Sequence, residues 1–226
     1  MSKWNKIWET RHVDESQEFS FQDLINLNGF DSDHSRLTEE SLSDTISTYE
    51  KIIGLQENDN IFEVGCGSGA FLYTWYERGH EVGGIDISPA LINVINKSLP
   101  LGDWNVSEAI DLPIDRYDHI VSFSTFFYFP NYEYAKEVLY KMIMKANKTV
   151  SIFDIADLGK KEDCENWRKN NIIGYSDKYT ELQHLYYSKE WWCNILNDLG
   201  VNYKIYEQNI QGYGNSQWRY NITINI

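Results

Sequence analysis

The chain has 226 residues, enough for one large domain, and its 42% hydrophobic content supplies an ordinary core. Lys and Arg total 20 against 34 Asp and Glu, a formal charge of −14 without any concentrated basic patch, so nucleic acid and anionic membrane are poor partners. The opening MSKWNKIWETRHVDES has no apolar signal core, and nowhere do about 20 apolar residues run uninterrupted, so a soluble, cytoplasmic protein is expected. Cys66, Cys164 and Cys193 form no CxxC pair and the histidines are scattered, so no metal site is expected.

From residue 60 onward the hydrophobic period alternates. Ile61, Phe62 and Val64 predict a strand, and Phe71, Leu72 and Trp75 predict a helix closed by Gly79. EVGGID is a second short strand. Ser88 then offers an N-cap with Pro89 at the first helical position, and Leu91, Ile92, Ile95 and Leu99 recur at helical spacing until Pro100. DHIVSF (118–123) is the next strand. Val138, Leu139, Met142, Ile143 and Ala146 mark a helix leading into KTVSIFDI (148–155). Such alternation predicts an α/β domain with a parallel sheet covered by helices on both faces, since parallel crossovers need a dozen or more residues. The tail differs: Val201, Tyr203 and Ile205, then Trp218, Tyr220, Ile222, Ile224 and Ile226, alternate at period two and predict an antiparallel hairpin. The whole chain, 1–226, reads as a single domain. It divides into an N-terminal helical cover (1–53), a core (54–155), an insertion or lid (156–200) and the C-terminal hairpin (201–226).

Glycine is concentrated where the first strand meets its helix, in IFEVGCGSGAF (61–71). Gly65, Gly67 and Gly69 allow a sharp turn and close backbone approach to a ligand, and the helix N-terminus offers free amides. Gly65, Gly67 and Ala70 also satisfy the relaxed dinucleotide fingerprint, which keeps a nicotinamide or flavin oxidoreductase in view. Glu63 discriminates. A carboxylate beside a pyrophosphate costs roughly 4 kcal/mol for unit charges about 4 Å apart at an effective dielectric near 20. A ligand with ammonium and sulfonium groups and no phosphate gains from the same acid.

Glu63-Val-Gly65-Cys66-Gly67-Ser-Gly69 resembles the first motif of class I S-adenosylmethionine-dependent methyltransferases, and most of the chain's strand pattern extends the likeness. The resemblance implies a Rossmann-like, seven-stranded, mostly parallel sheet with an antiparallel C-terminal hairpin. It also implies S-adenosylmethionine as cofactor and S-adenosylhomocysteine as product, with Glu63 and the loop holding the methionine end. Asp86, 17 residues beyond Gly69 and followed by Ile87, stands where the family has an acid for the ribose hydroxyls. Glu108 and Ala109, in SEAIDLP, stand where the family reads adenine, with Glu in place of the usual Asp. Phe123 ends the strand that should border the site. Each acid also has a plain alternative: a solvated strand end for Glu63, a turn for Asp86, a surface charge for Glu108.

The acceptor is less legible. Methyl transfer is an in-line displacement that gains most from positioning, and a base is required only for a hydroxyl or protonated amine. STFFYFP (124–130) lacks the Asn/Asp-Pro-Pro-Tyr signature of enzymes acting on nucleobase or glutamine amide nitrogens. HLYYSKEWW (184–192) and GYGNSQWRYN (212–221), with NGFDSDHS (28–35) and SKWNKIWE (2–9), are similar to a subgroup associated with bacterial surface-polysaccharide biosynthesis, including O-methyl phosphoramidate capsule modification. That likeness implies a small polar acceptor, phosphorylated or nucleotide-linked, and an O-methyl product; N-methylation of a sugar or another metabolite is the alternative. His184 is the candidate base. Tyr186 and Tyr187 are candidate pocket walls, and Arg11 and Arg219 candidate clamps for an anionic acceptor. Trp4 and Trp8 share a helical face that either closes over the cofactor or docks the N-terminus. A scaffold protein that binds the cofactor without transferring a methyl group is the remaining alternative.

Overall fold

The computed structural model describes residues 3–10, 12–14, 16–32, 34–112, 115–175 and 182–226. Seven strands form one sheet in the order β3-β2-β1-β4-β5-β7-β6. They are β1 (Ile61–Val64), β2 (Val82–Asp86), β3 (Asp103–Val106), β4 (Tyr117–Phe123), β5 (Ala146–Ala156), β6 (Asn202–Glu207) and β7 (Arg219–Asn225). β1 to β5 run parallel, whereas β7 pairs antiparallel with both β5 and β6. This is the Rossmann-like arrangement expected, hairpin included.

The helices are α1 (Lys3–Glu9), α2 (Phe21–Leu27), α3 (Glu39–Ile53), α4 (Ala70–Glu77), α5 (Pro89–Ser98), α6 (Tyr132–Lys145), α7 (Lys161–Asn171) and α8 (Lys189–Asp198). Local chemistry sets their starts. Ser88 accepts from the Leu91 N–H with Pro89 at N1, Asn131 accepts from Tyr134 N–H, and Thr38 and Ser41 cap α3 reciprocally. α2 to α5 pack on one face of the sheet, where Leu24, Ile46, Phe71 and Ile95 meet Ile61 and Val121. α6 and α8 cover the other, where Leu139, Met142, Trp192 and Leu196 meet Phe62, Ile152 and Ile222. β1 is buried along its whole length, as a central parallel strand must be.

Three features depart from the sequence reading. Ala146 begins β5 rather than ending the preceding helix. Residues 189–198, within the stretch taken as a lid, form α8 and seal the sheet. Ser188 caps that helix by accepting from Trp191 N–H at 3.1 Å, and Trp192, Ile195 and Leu196 supply its inner face. Finally, β7 alternates as forecast, but its polar face is not wet. It lies between β5 and β6, so Arg219, Asn221 and Thr223 are buried; Thr223 bonds the Ser151 hydroxyl at 2.9 Å and Asn221 accepts from Asp154 N–H at 2.9 Å.

The chain leaves β1 toward β2 and β3 on one side and later returns to β4 on the other. The loops after β1 and β4 therefore diverge and open a crevice at the strand carboxyl ends, the place where open α/β sheets bind ligands.

Candidate active site

The crevice holds a cavity lined by Glu63, Gly65, Gly67, Asp86, Ile87, Glu108, Ala109 and Phe123, together with Asn28, Ser124, Thr125 and Tyr134. Its floor is the glycine loop. Gly65 and Cys66 N–H groups donate to the Ile85 carbonyl at 2.8 and 2.9 Å, which ties the loop to β2. Gly65 and Gly67 have φ of +78° and +54°, and a Cβ would lie 2.4 Å from Thr125 Oγ1 in the first and 2.3 Å from Asn28 Oδ1 in the second. Only glycine combines that backbone with that crowding.

Asp86, at the end of β2, accepts from Gly67 N–H at 2.9 Å through Oδ2 and from Ser88 N–H at 2.8 Å through Oδ1. The Ile87 amide bonds it as well, and of a carboxylate's roughly four lone-pair sites this leaves room for a ribose hydroxyl. Burial raises its pKa, against the pull of those amide bonds. Glu63, 2% exposed, is the second acid, and its Oε2 is buried without a hydrogen-bond partner. Burial, and then the charge of Asp86, lift its pKa well above the usual range; the Phe123 amide only partly opposes this. Two mutually repelling buried acids beside a glycine cradle lack a cation, and an ammonium-bearing ligand supplies one. A pyrophosphate would aggravate the repulsion. The residues present thus fit S-adenosylmethionine, and misfit a dinucleotide.

Glu108 caps the 3₁₀ turn Ala109–Asp111 and accepts from the Tyr134 hydroxyl at 3.4 Å. Cys66 and Gly69 do not line the cavity. The Cys66 side chain is buried, close enough to Gly84 that a Cβ there would lie 2.7 Å from its own Cβ, and Gly69 packs on Ile95 while capping α4.

A second chamber adjoins the first. Trp8, Asn28, Phe30, Ser124 and Tyr128 line both, and Arg168, His184, Asn215 and Arg219 line the second alone. All four stretches singled out at the sequence level reach it, through Trp4 and Trp8, Phe30 and His34, His184, and Asn215 and Arg219. Trp4 stacks on His184 with centroids 4.9 Å apart, and both Trp4 and Trp8 pack edge-on against Tyr128. The shared face of α1 therefore forms part of the chamber wall.

His184 is not placed as a general base. Its Nδ1 lies 3.4 Å from Arg168 Nη1, a donor in every state, so the neutral ring accepts there and carries its proton on the enclosed Nε2. Burial, then Arg168 and Arg219, hold its pKa well below the ordinary value, so the ring stays neutral and donates. Tyr186 and Tyr187 also differ from expectation, for they line neither chamber. The Tyr187 hydroxyl donates to the Phe126 carbonyl at 2.8 Å and Tyr186 packs against Cys164, so both serve packing. Arg219 lies over the Phe127 ring with Nε 3.4 Å from Asp154 Oδ1. Arg11 lies outside the described residues.

The sequence reading missed several residues. Asn28 caps the end of α2 and accepts from Ser68 N–H at 2.8 Å, holding the glycine loop from 40 residues away. No local pattern announces that. Arg168 sits on α7, whose sequence KEDCENWRKNN reads as solvated; only the i, i+4 pair Cys164 and Arg168 marks its buried face. Asp154 was likewise unmarked. Among the described residues no group of His, Cys, Asp and Glu could hold a metal ion, and no helix is long and apolar enough to cross a membrane.

Residues 61–145, the segment carrying the loop, Asp86 and Glu108, match the family model of a methyltransferase domain. The fold is similar to that of the plantazolicin methyltransferase BpumL in complex with SAH, with a TM-score of 0.67 at 16% identity over 98% of this chain and 93% of that one. It is also similar to magnesium protoporphyrin IX methyltransferase from Synechocystis PCC 6803 with bound SAH (TM-score 0.61, 13% identity, 98% and 91% of the two chains). A TehB-like methyltransferase from Corynebacterium glutamicum shares the fold more distantly (TM-score 0.53, 16% identity, 82% and 86%). No curated protein matches the sequence. The matched segment is a methyltransferase domain, and the site it encloses fits S-adenosylmethionine. Likeness to the solved structures extends to the fold and carries no acceptor with it.

Proposed function

We propose that the protein transfers a methyl group from S-adenosylmethionine to an oxygen of a small polar acceptor, in the assembly of a bacterial surface polysaccharide. The observation that carries the donor side is the buried Glu63, with Oε2 unpartnered at the mouth of the glycine loop. Glu63 and the loop would hold the methionine end, Asp86 the ribose and the Glu108–Ala109 turn the adenine, while Phe123 walls the cavity. S-adenosylmethionine supplies an electrophilic methyl group on a sulfonium.

The acceptor side rests on the adjoining chamber. The stretches that resemble the surface-polysaccharide subgroup line it, and it opens onto the first cavity at Ser124 and Tyr128. This arrangement supports an acceptor that meets the donor across that shared wall, where alignment supplies most of the acceleration. The test is a transfer assay with radiolabelled S-adenosylmethionine across sugar phosphates, nucleotide sugars and unmodified sugars, beside titrations with S-adenosylhomocysteine and NADH. Tight S-adenosylhomocysteine binding with label on a phosphorylated sugar is expected. NADH bound in its place sinks the donor assignment, and label on a sugar nitrogen sinks O-methylation.

A further inference from the structure

The polar atoms enclosed around the second chamber have an unusual bias. Arg168 and Arg219 are 4% and 2% exposed, and Arg168 Nε, Arg219 Nε and Nη1, and His184 Nε2 are buried without hydrogen-bond partners. All four are donors. Arg168 gives its other bonds to neutral groups, Asn215 Oδ1 at 2.9 Å, His184 Nδ1 and Tyr175, and no described carboxylate pairs with it. Arg219 faces Asp154 at 3.4 Å without a hydrogen bond, and Asp154 is further occupied by Tyr213 and Gln208. Among the described residues the acid lining the chamber is Asp31, which is exposed. Among the described residues, two buried cations with spare N–H groups face a single counter-charge, Asp154 beside Arg219, a deficit of negative charge that is costly to leave.

We infer that this chamber binds an oxyanion, a phosphate or carboxylate carried by the acceptor, held in the fork of Arg168 with Arg219 and the Nε2–H of His184. A planar fork with spare N–H groups suits an oxyanion, whose lone pairs point outward in the same geometry. The three side chains come from α7, the segment preceding α8, and β7, so the site forms only when the whole C-terminal half is folded. That the anion belongs to the methyl acceptor rests on the proposed function; that the chamber takes an anion does not.

Calorimetry with phenyl phosphate, benzoate and neutral benzyl alcohol at constant ionic strength, on protein with and without S-adenosylhomocysteine, tests this. At least one anion should bind ten-fold or more tightly than the alcohol, and the tighter of the two names the group. Arg168→Gln should weaken that anion at least ten-fold and leave S-adenosylhomocysteine affinity within two-fold, which also shows that the variant is folded. His184→Ala, a milder change, should cost several-fold. Equal binding of the alcohol, or an anion affinity untouched by Arg168→Gln, overturns the inference. The comparison of anion with alcohol uses the unaltered protein and stands even where a variant unfolds. Anion binding without S-adenosylhomocysteine binding sustains the oxyanion site and removes the donor assignment.

Discussion

Ser124 and Asp154, at the ends of adjacent strands, both adopt positive φ, +55° and +61°, and the Ser124 hydroxyl donates to Asp154 Oδ2. Neither is glycine, so each conformation costs of order 1–3 kcal/mol and persists because surrounding bonds over-determine it. Asp154 supplies those bonds, accepting also from Gln208 at 2.7 Å and Tyr213 at 3.1 Å while its own N–H donates to Asn221. Asp154→Ala removes the hub and strips Arg219 of its counter-charge. We expect a loss of about 3–5 kcal/mol in urea unfolding; a loss below about 1 kcal/mol would show the hub to be incidental.

Asp86→Ala removes both the expected diol acceptor and the anchor of Gly67 N–H. Each charge-assisted bond contributes about 1.5–3 kcal/mol, so S-adenosylhomocysteine affinity should fall at least ten-fold. Near-normal affinity by calorimetry rules out the ribose role.

Glu63 gives the site a pH signature. Its folded pKa is raised above the ordinary 4.5, so in the free protein the proton-bound form is favoured, and stability falls as pH climbs from about 4.5 through the raised value. A cationic ammonium reverses the preference and expels the proton. S-adenosylhomocysteine affinity should therefore rise with pH across that window, with proton release visible when two buffers of different ionisation enthalpy are compared. Glu63→Gln should remove most of the proton release and shrink the stability slope, leaving the part that the raised Asp86 contributes.

At the opposite end of the sheet, Asp59 accepts from His119 Nε2 at 2.9 Å and pairs with Lys148. Burial opposes ionisation, yet these partners bring its pKa from 3.8 down to about 2. A depressed carboxylate contributes stability above the unfolded pKa and loses it as pH falls through the folded one. The contribution, about 2 kcal/mol, should be present at pH 6, decline below about pH 4 and be absent in Asp59→Asn. Equal unfolding midpoints for the two proteins at pH 6 would exclude it.

Gly67→Ala places a methyl group against Asn28 Oδ1 in a left-handed backbone. We expect it to weaken S-adenosylhomocysteine binding, and Gly67→Ala with Asn28→Gly to recover part of the loss. No recovery would leave backbone strain alone responsible.

The sequence by itself determined the strand–helix alternation, the cap at Ser88, and the cradle with its two acids. These depend on residues within a few positions of one another, where hydrophobic period, N-capping and glycine's freedom act directly. Tertiary structure decided everything that depends on what a strand or helix is packed against. β7 alternates whether its polar face meets water or a second layer of helices, α7 looks solvated until Arg168 is seen turned inward, and Tyr186 and Tyr187 look like pocket walls until their hydroxyls are seen satisfied elsewhere. It also decided the sense of His184, because a ring nitrogen beside a guanidinium must accept, whereas the amino-acid type alone leaves it free to do either. Local order is written in spacing; charge balance at a distance exists only once the chain has closed on itself.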